Sequence, residues 1–178
     1  MNKDVIIALD FPDKKTTMDF LDKFDSEVFV KVGMELFYQE GPSIIKEIKQ
    51  RNHKVFLDLK LHDIPNTVAG GLRSLKNLDV DIVNVHCSGG IKMMEEASKI
   101  FSDSNALVIG VTQLTSTSKE MMNEELLIAG EIKDVVLDYA KNAKKAGLDG
   151  IVCSPLEAEI VHNNPPFHRC FLKFLYHD

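Results

Sequence analysis

Cysteine is scarce in this 178-residue chain: Cys87, Cys153 and Cys170 are widely spaced and form no C-x-x-C pair. That excludes a disulfide framework and a zinc knuckle, and leaves buried or free thiols. Positive charge is also short. Lys and Arg number 21 against 27 Asp and Glu, a formal net charge of −6. No basic stripe is available to neutralise a phosphate backbone, so nucleic acid is not an expected partner. No apolar run approaches the roughly 18 residues of a membrane span. Lys3, Asp4 and Asp10 interrupt the N-terminal apolar stretch before it reaches signal-peptide length. The expectation is a cytoplasmic protein with no membrane association. Glycine-rich phosphate loops are missing too, since neither G-x-G-x-x-G nor G-x-x-x-x-G-K-[ST] occurs.

What is present is regular alternation. Residues 5–9, 28–32, 55–59, 82–85, 106–111 and 151–153 are β-branched or aliphatic runs of strand length. Their nearly continuous hydrophobicity predicts parallel strands buried on both faces. Between them the apolar period becomes helical, as in Met18, Leu21 and Phe24; Ile44, Ile45 and Ile48; Val68, Leu72 and Leu75; Ile91, Met94 and Ala97; and Ile132, Val135, Val136 and Tyr139. Asp13, Ser43 and Asn66 stand near predicted helix starts, Pro42 suits a first turn, and Gly147 a helix end. Repeated βα units leave two architectures open, a (β/α)8 barrel or a doubly wound sheet. Polar residues gather just past the strands, at Asp10, Lys60, Asp63, His86, Thr112, Gln113 and Ser154, where a barrel keeps its active site. A complete barrel takes about 250 residues, so about six units are expected here.

The densest polar run is Asp58-Leu59-Lys60-Leu61-His62-Asp63-Ile64-Pro65. A strand period of two puts Asp58 and Lys60 on one side, with Asp63 past the strand end before the stiff Ile64-Pro65 step. Lys31 is a lone ammonium in the apolar run Phe29-Val30-Lys31-Val32-Gly33, and a buried cation requires carboxylate neighbours. An alternating array of Lys31, Asp58, Lys60 and Asp63 would satisfy all four. It reads either as a salt-bridge network closing a barrel end or as catalytic machinery. Asp58, His62, Asp63 and His86 can also be written as a metal site, but no i,i+4 His pair or ligand spacing supports one, and no metal is expected. Cys87 beside His86 suggests a thiol-imidazole pair, yet neighbours on a strand face opposite ways. The hydroxyl-rich run Thr112 to Ser118 reads as a mobile lid or as a solvated linker.

The motifs Ile7-Ala8-Leu9-Asp10, Phe29-Val30-Lys31-Val32-Gly33-Met34-Glu35-Leu36-Phe37, Asp58-Leu59-Lys60-Leu61-His62-Asp63-Ile64-Pro65-Asn66-Thr67, Val83-Asn84-Val85-His86, Val111-Thr112-Gln113-Leu114-Thr115-Ser116 and Gly147-Leu148-Asp149-Gly150 together resemble the bacterial-type orotidine 5′-phosphate decarboxylase family. The resemblance runs to about His162. It implies a phosphate-binding (β/α)8 TIM-type barrel and a carboxy-lyase of pyrimidine biosynthesis. The implied enzyme converts orotidine 5′-phosphate to uridine 5′-phosphate as a homodimer with shared sites, and uses no metal or organic cofactor. Residue by residue, it implies that Asp10 and Lys31 hold the ribose hydroxyls, that Asp58 lies beside the substrate carboxylate, and that Lys60 donates the proton to C6. Asp63, Ile64 and Thr67 would reach the partner subunit's site, and Thr115 would lie on the pyrimidine side.

The family's later phosphate-gripping Pro-Gly-Ile-Arg and Gly-Arg motifs do not occur here. Residues 163–178, with Pro165, Pro166 and the aromatics Phe167, Phe171, Phe174 and Tyr176, break the βα pattern. The expected organisation is an incomplete barrel domain over 1–162 and an atypical tail over 163–178, as a truncation or frameshift would leave, with low activity. Two alternatives accompany this reading. One is a related Mg2+-dependent sugar-phosphate decarboxylase or aldolase, whose relatives carry a metal-binding glutamate where this chain has Lys31. The other is a non-catalytic fragment.

Overall fold

A computed structural model describes residues 5–164 and 170–172. The strands are β1 (Ile6–Ala8), β2 (Phe29–Gly33), β3 (Lys54–Leu61), β4 (Ile82–His86), β5 (Leu107–Val111), β6 (Gly150–Cys153) and β7 (Cys170–Leu172). The helices are α1 (Lys14–Leu21), α2 (Met34–Glu40), α3 (Pro42–Gln50), α4 (Pro65–Lys76), α5 (Gly90–Phe101), α6 (Ile132–Lys145) and α7 (Ala158–Asn163). All six expected strands form within two residues of their expected ends, and β7 is added to them. The rest of the expected tail from 165 onward, residues 165–169 and 173–178, lies outside the described residues.

Strand order decides between the two architectures. The seven strands make one sheet in the order β1-β2-β3-β4-β5-β6-β7, and every pairing is parallel. A doubly wound sheet reverses its order at a switch point. Here each crossover advances one strand in the same direction, as in a (β/α)8 barrel. Among the described residues β1 and β7 remain the edges.

Local chemistry sets the punctuation. The Asp13 carboxylate accepts the Thr16 N–H at 2.7 Å and caps α1. Pro42 and Pro65 open α3 and α4, where a missing N–H is harmless. Gly147 follows α6 at φ +78°. The sequence reading lacks α2, which is separated from α3 by Gly41 at φ +66° and buries Leu36 alone.

The strand starts are tied together at the rim opposite the site. His53, just before β3, accepts the Val28 N–H on Nδ1 at 3.2 Å. Asp81, before β4, accepts the Val55 N–H at 2.7 Å, and Asp149, before β6, accepts the Val108 N–H at 2.8 Å. Each side chain takes a backbone donor at the start of the preceding strand, which fixes register between neighbours.

The sheet has two unlike faces. Val30, Val32, Val55, Leu57, Val83, Val85 and Val108 pack with the helices in the main core. On the other face Phe56, Ile82 and Ile109 form a smaller cluster with Ile6, Phe29, Leu107 and Val152 against it. Lys31, Asp58 and Asn84 lie two residues further along their strands, on this second face. The apolar layer thus ends in a polar one toward the C-terminal strand ends.

Candidate active site

Three strands supply that polar layer. Lys60 Nζ, from β3, lies 2.7 Å from Asp58 Oδ1, and Lys31 Nζ, from β2, lies 3.6 Å from Asp58 Oδ2. Lys31 also donates to Asp10 Oδ1 at 3.2 Å, just beyond β1. The carboxylate of Asp58 is 8% exposed, while the Lys31 and Lys60 side chains are 19% and 20% exposed. A cleft of about 210 Å3 opens over them, walled by Leu9, Phe11, Gly33 and Met34.

Burial alone would push the Asp58 carboxyl up. The hydrogen bonds from Lys60 and Asn84 and the charges of Lys60 and Lys31 outweigh it and hold Asp58 below the usual carboxylate range. His86, at the end of β4, is pulled below the usual imidazole value by burial and by its electrostatic neighbours His62 and Lys60. The His62 and His86 rings are 5.6 Å apart.

One expected member is displaced from the array. Asp63 lies past the end of β3, exposed, where its Oδ1 accepts the Ile64 N–H at 2.6 Å. Among the described residues it makes no ion pair, and Asp10 takes its place beside Lys31. The chain leaves β3 at Leu61 and turns into α4, which carries Asp63 away from the cleft. Ile64 is 67% exposed, Thr67 is exposed and Thr115 half-buried. These three do not line the cleft. The metal arrangement is likewise not assembled: among the described residues no three His, Cys, Asp or Glu side chains form a candidate cation site. Thr112 serves the framework, with its hydroxyl donating to the Val152 carbonyl at 2.9 Å.

Two features of the site escape sequence reasoning. The register of β3 on β4 passes from Leu57 opposite Val83 to Leu61 opposite Val85. Asp58, Leu59 and Lys60 therefore share one opposing residue, Asn84. Within this bulge Lys60 adopts φ +51°, a left-handed conformation that a lysine holds only against a steric penalty. The second feature is Asn84 itself, 1% exposed, which touches both Asp58 and the Lys60 backbone. A lone amide in the apolar run Ile82-Val83-Asn84-Val85 was the available signal.

Known proteins carry the same pattern. The family described as Orotidine 5'-phosphate decarboxylase / HUMPS matches residues 3–171. The orotidine 5'-phosphate decarboxylase of Staphylococcus epidermidis is 58% identical over 158 residues, which are 88% of this chain and 69% of that protein. A crystal structure of orotidine 5'-phosphate decarboxylase from Lactobacillus acidophilus superposes with a TM-score of 0.88 at 39% identity, covering 93% of this chain and 77% of that one. An uncharacterised conserved protein from Geobacillus kaustophilus gives 0.86 at 48% identity, over 89% and 77%. With the barrel-type strand order and the match reaching from β1 to β7, the chain belongs to the orotidine 5'-phosphate decarboxylase / HUMPS family.

Proposed function

We propose that this chain is a carboxy-lyase that converts orotidine 5′-phosphate to uridine 5′-phosphate, with Lys60 as the proton donor to C6. The Asp10–Lys31–Asp58–Lys60 chain of contacts in the cleft carries the reading. Loss of CO2 breaks the bond from C6 to the carboxyl carbon and leaves the electron pair on C6. No attached group of the pyrimidine delocalises that pair, so a fixed cation beside C6 has to stabilise it as it forms. An ammonium there also completes the reaction: Lys60 transfers a proton to C6 and regains one from water. Asp58 holds Nζ in place and presents negative charge to the departing carboxylate. Asp10 and Lys31 bind the ribose hydroxyls, and Thr115 lies on the pyrimidine side.

The reaction uses no metal or organic cofactor in this reading. A Mg2+-dependent sugar-phosphate reaction is not favoured, because Lys31 places a cation beside Asp58 where those relatives need a metal-binding carboxylate. The site residues fall within 1–162, the span proposed as the barrel domain. The proposed assembly is a cytoplasmic homodimer in which Asp63, Ile64 and Thr67 complete the neighbouring site. Their exposure, and their position outside their own chain's cleft, support it. No helix among the described residues is long and apolar enough to cross a membrane.

The test is steady-state decarboxylation by the 178-residue protein and by its Lys60→Ala variant. Lys60→Ala is expected to abolish turnover while leaving uridine 5′-phosphate binding nearly unchanged, since the ammonium matters most as charge develops. Retention of a tenth of the rate, about 1.4 kcal/mol of barrier, would overturn the role of Lys60. An inactive unsubstituted chain would favour the non-catalytic reading. Mixing Lys60→Ala with Asp63→Ala subunits should restore activity through hybrid dimers. No return of activity after demonstrated subunit exchange would refute shared sites.

A further inference from the structure

We infer that Asn84 is the positioning residue of this site: one buried amide fixes the Asp58 carboxylate and the Lys60 backbone in a single geometry. The inference rests on the decarboxylase reading for its kinetic arm, and on geometry alone for the rest.

Asn84 lies mid-strand in β4 between Val83 and Val85, both fully buried. Its Nδ2 donates to Asp58 Oδ1 at 2.6 Å, and its Oδ1 accepts the Lys60 N–H at 2.7 Å. The amide can take only this orientation. A backbone N–H only donates and a carboxylate only accepts, so a flipped amide would lose both bonds. In the bulge, Lys60 has no ladder partner on β4 at its own register. The Asn84 side chain supplies the missing acceptor. It therefore holds Lys60 at φ +51°, a conformation the backbone leaves unless something over-determines it. The same Asp58 oxygen receives Lys60 Nζ and Asn84 Nδ2. Position of the ammonium and position of its acceptor are thus set by one side chain, one hydrogen bond removed from the cleft.

No other standard residue fills this role. Asp would keep the acceptor for Lys60 but set a second carboxylate against Asp58. Leu would match the volume, deprive the Lys60 N–H of its acceptor and remove one of the donors to Asp58, and Gln would carry its amide one methylene too far. Other charged or titratable groups around Asp58 are Asp10, Lys31, Lys60, His62 and His86, and among the described residues Lys60 is the one of these that bonds to Asn84.

The experiment compares the unsubstituted chain with Asn84→Asp and Asn84→Ala, each assayed well below its own Tm so that all molecules are folded. Both variants should lose about 10²-fold in kcat, the order expected when reacting groups are misplaced by about 1 Å, while KM for orotidine 5′-phosphate stays within about threefold. In parallel, 13C NMR of the Asp58 carboxyl should show its titration midpoint move upward in Asn84→Ala, because a hydrogen bond to the charged form is gone. A kcat within about threefold of the unsubstituted chain, or an unmoved Asp58 midpoint, would overturn the inference. If the unsubstituted chain shows no turnover, the decarboxylase reading falls and the Asp58 titration alone decides the role of Asn84. Should Asn84→Ala fail to fold, Asn84→Asp carries the kinetic arm and Asn84→Ser the titration.

Discussion

Lys31 and Lys60 were legible in the sequence because a charge in an apolar strand demands an explanation, and the geometry supplies one carboxylate, Asp58, for both. Asn84 was not, because a neutral amide in a strand reads as a filler that could bond anywhere. Cys87 shows the opposite case, a reactive residue type made inert by its surroundings. It sits in the short 3₁₀ turn Cys87–Gly89 after β4, 1% exposed, and burial pushes its thiol up to about 12. The thiolate is the nucleophile, and at neutral pH almost none is present. Native protein treated with iodoacetamide at pH 8 should carry no label at Cys87, and denatured protein should carry it fully, as peptide mass mapping would show. Native labelling at Cys87 would restore the thiol-imidazole reading that the alternation of side chains argues against.

Among the elements, hydrophobic periodicity located six units, most clearly where β3, β4 and β5 are buried along nearly continuous runs and the helices on one face. It missed α2, whose only buried residue is Leu36, and β7, three residues in a stretch without a βα turn. It could not detect the β3 bulge, since a bulge alters register rather than composition. Close packing between elements was equally invisible and is testable at Gly110 of β5. A Cβ there would stand 2.6 Å from Cys87 Sγ and 3.1 Å from Leu148 Cδ1. Gly110→Ala should therefore destabilise the protein by about 1–3 kcal/mol, measured by urea denaturation. Cys87→Ala in the same chain removes Sγ and should recover part of that loss, a coupling of about 0.5–3 kcal/mol in the double-mutant cycle. Additive effects would mean that β5 moves away from the turn instead of colliding with it.

For the whole molecule, the site and the opposite rim respond to acid with the same sign. Burial holds His53 below the usual imidazole value, reinforced by the charge of Arg51, and its Nδ1 must stay unprotonated to accept the Val28 N–H that ties β3 to β2. His86 is also held below 6.5, at the other end of the sheet. Above pH 6.5 both are neutral, folded or unfolded, and contribute no pH dependence. As pH falls below 6.5 the unfolded chain takes up protons first, so stability declines until the folded-state values are reached, each group contributing at most about 1.4 kcal/mol per pH unit. Asp58 adds a second, lower window. Its folded-state value is below 3.8, so the stability it contributes is complete above 3.8 and is lost as pH falls through the folded value. Urea midpoints should therefore be level from pH 8 to 7, fall as pH drops below 6.5, and fall further as it drops below 3.8. His53→Asn, whose side-chain oxygen can accept the Val28 N–H without titrating, should reduce the upper window to the share of His86 and leave the lower one intact. A midpoint that does not change between pH 7 and 5 would mean that His53 and His86 titrate alike in the folded and unfolded chain, and that the tie from His53 to β2 does not depend on a neutral ring.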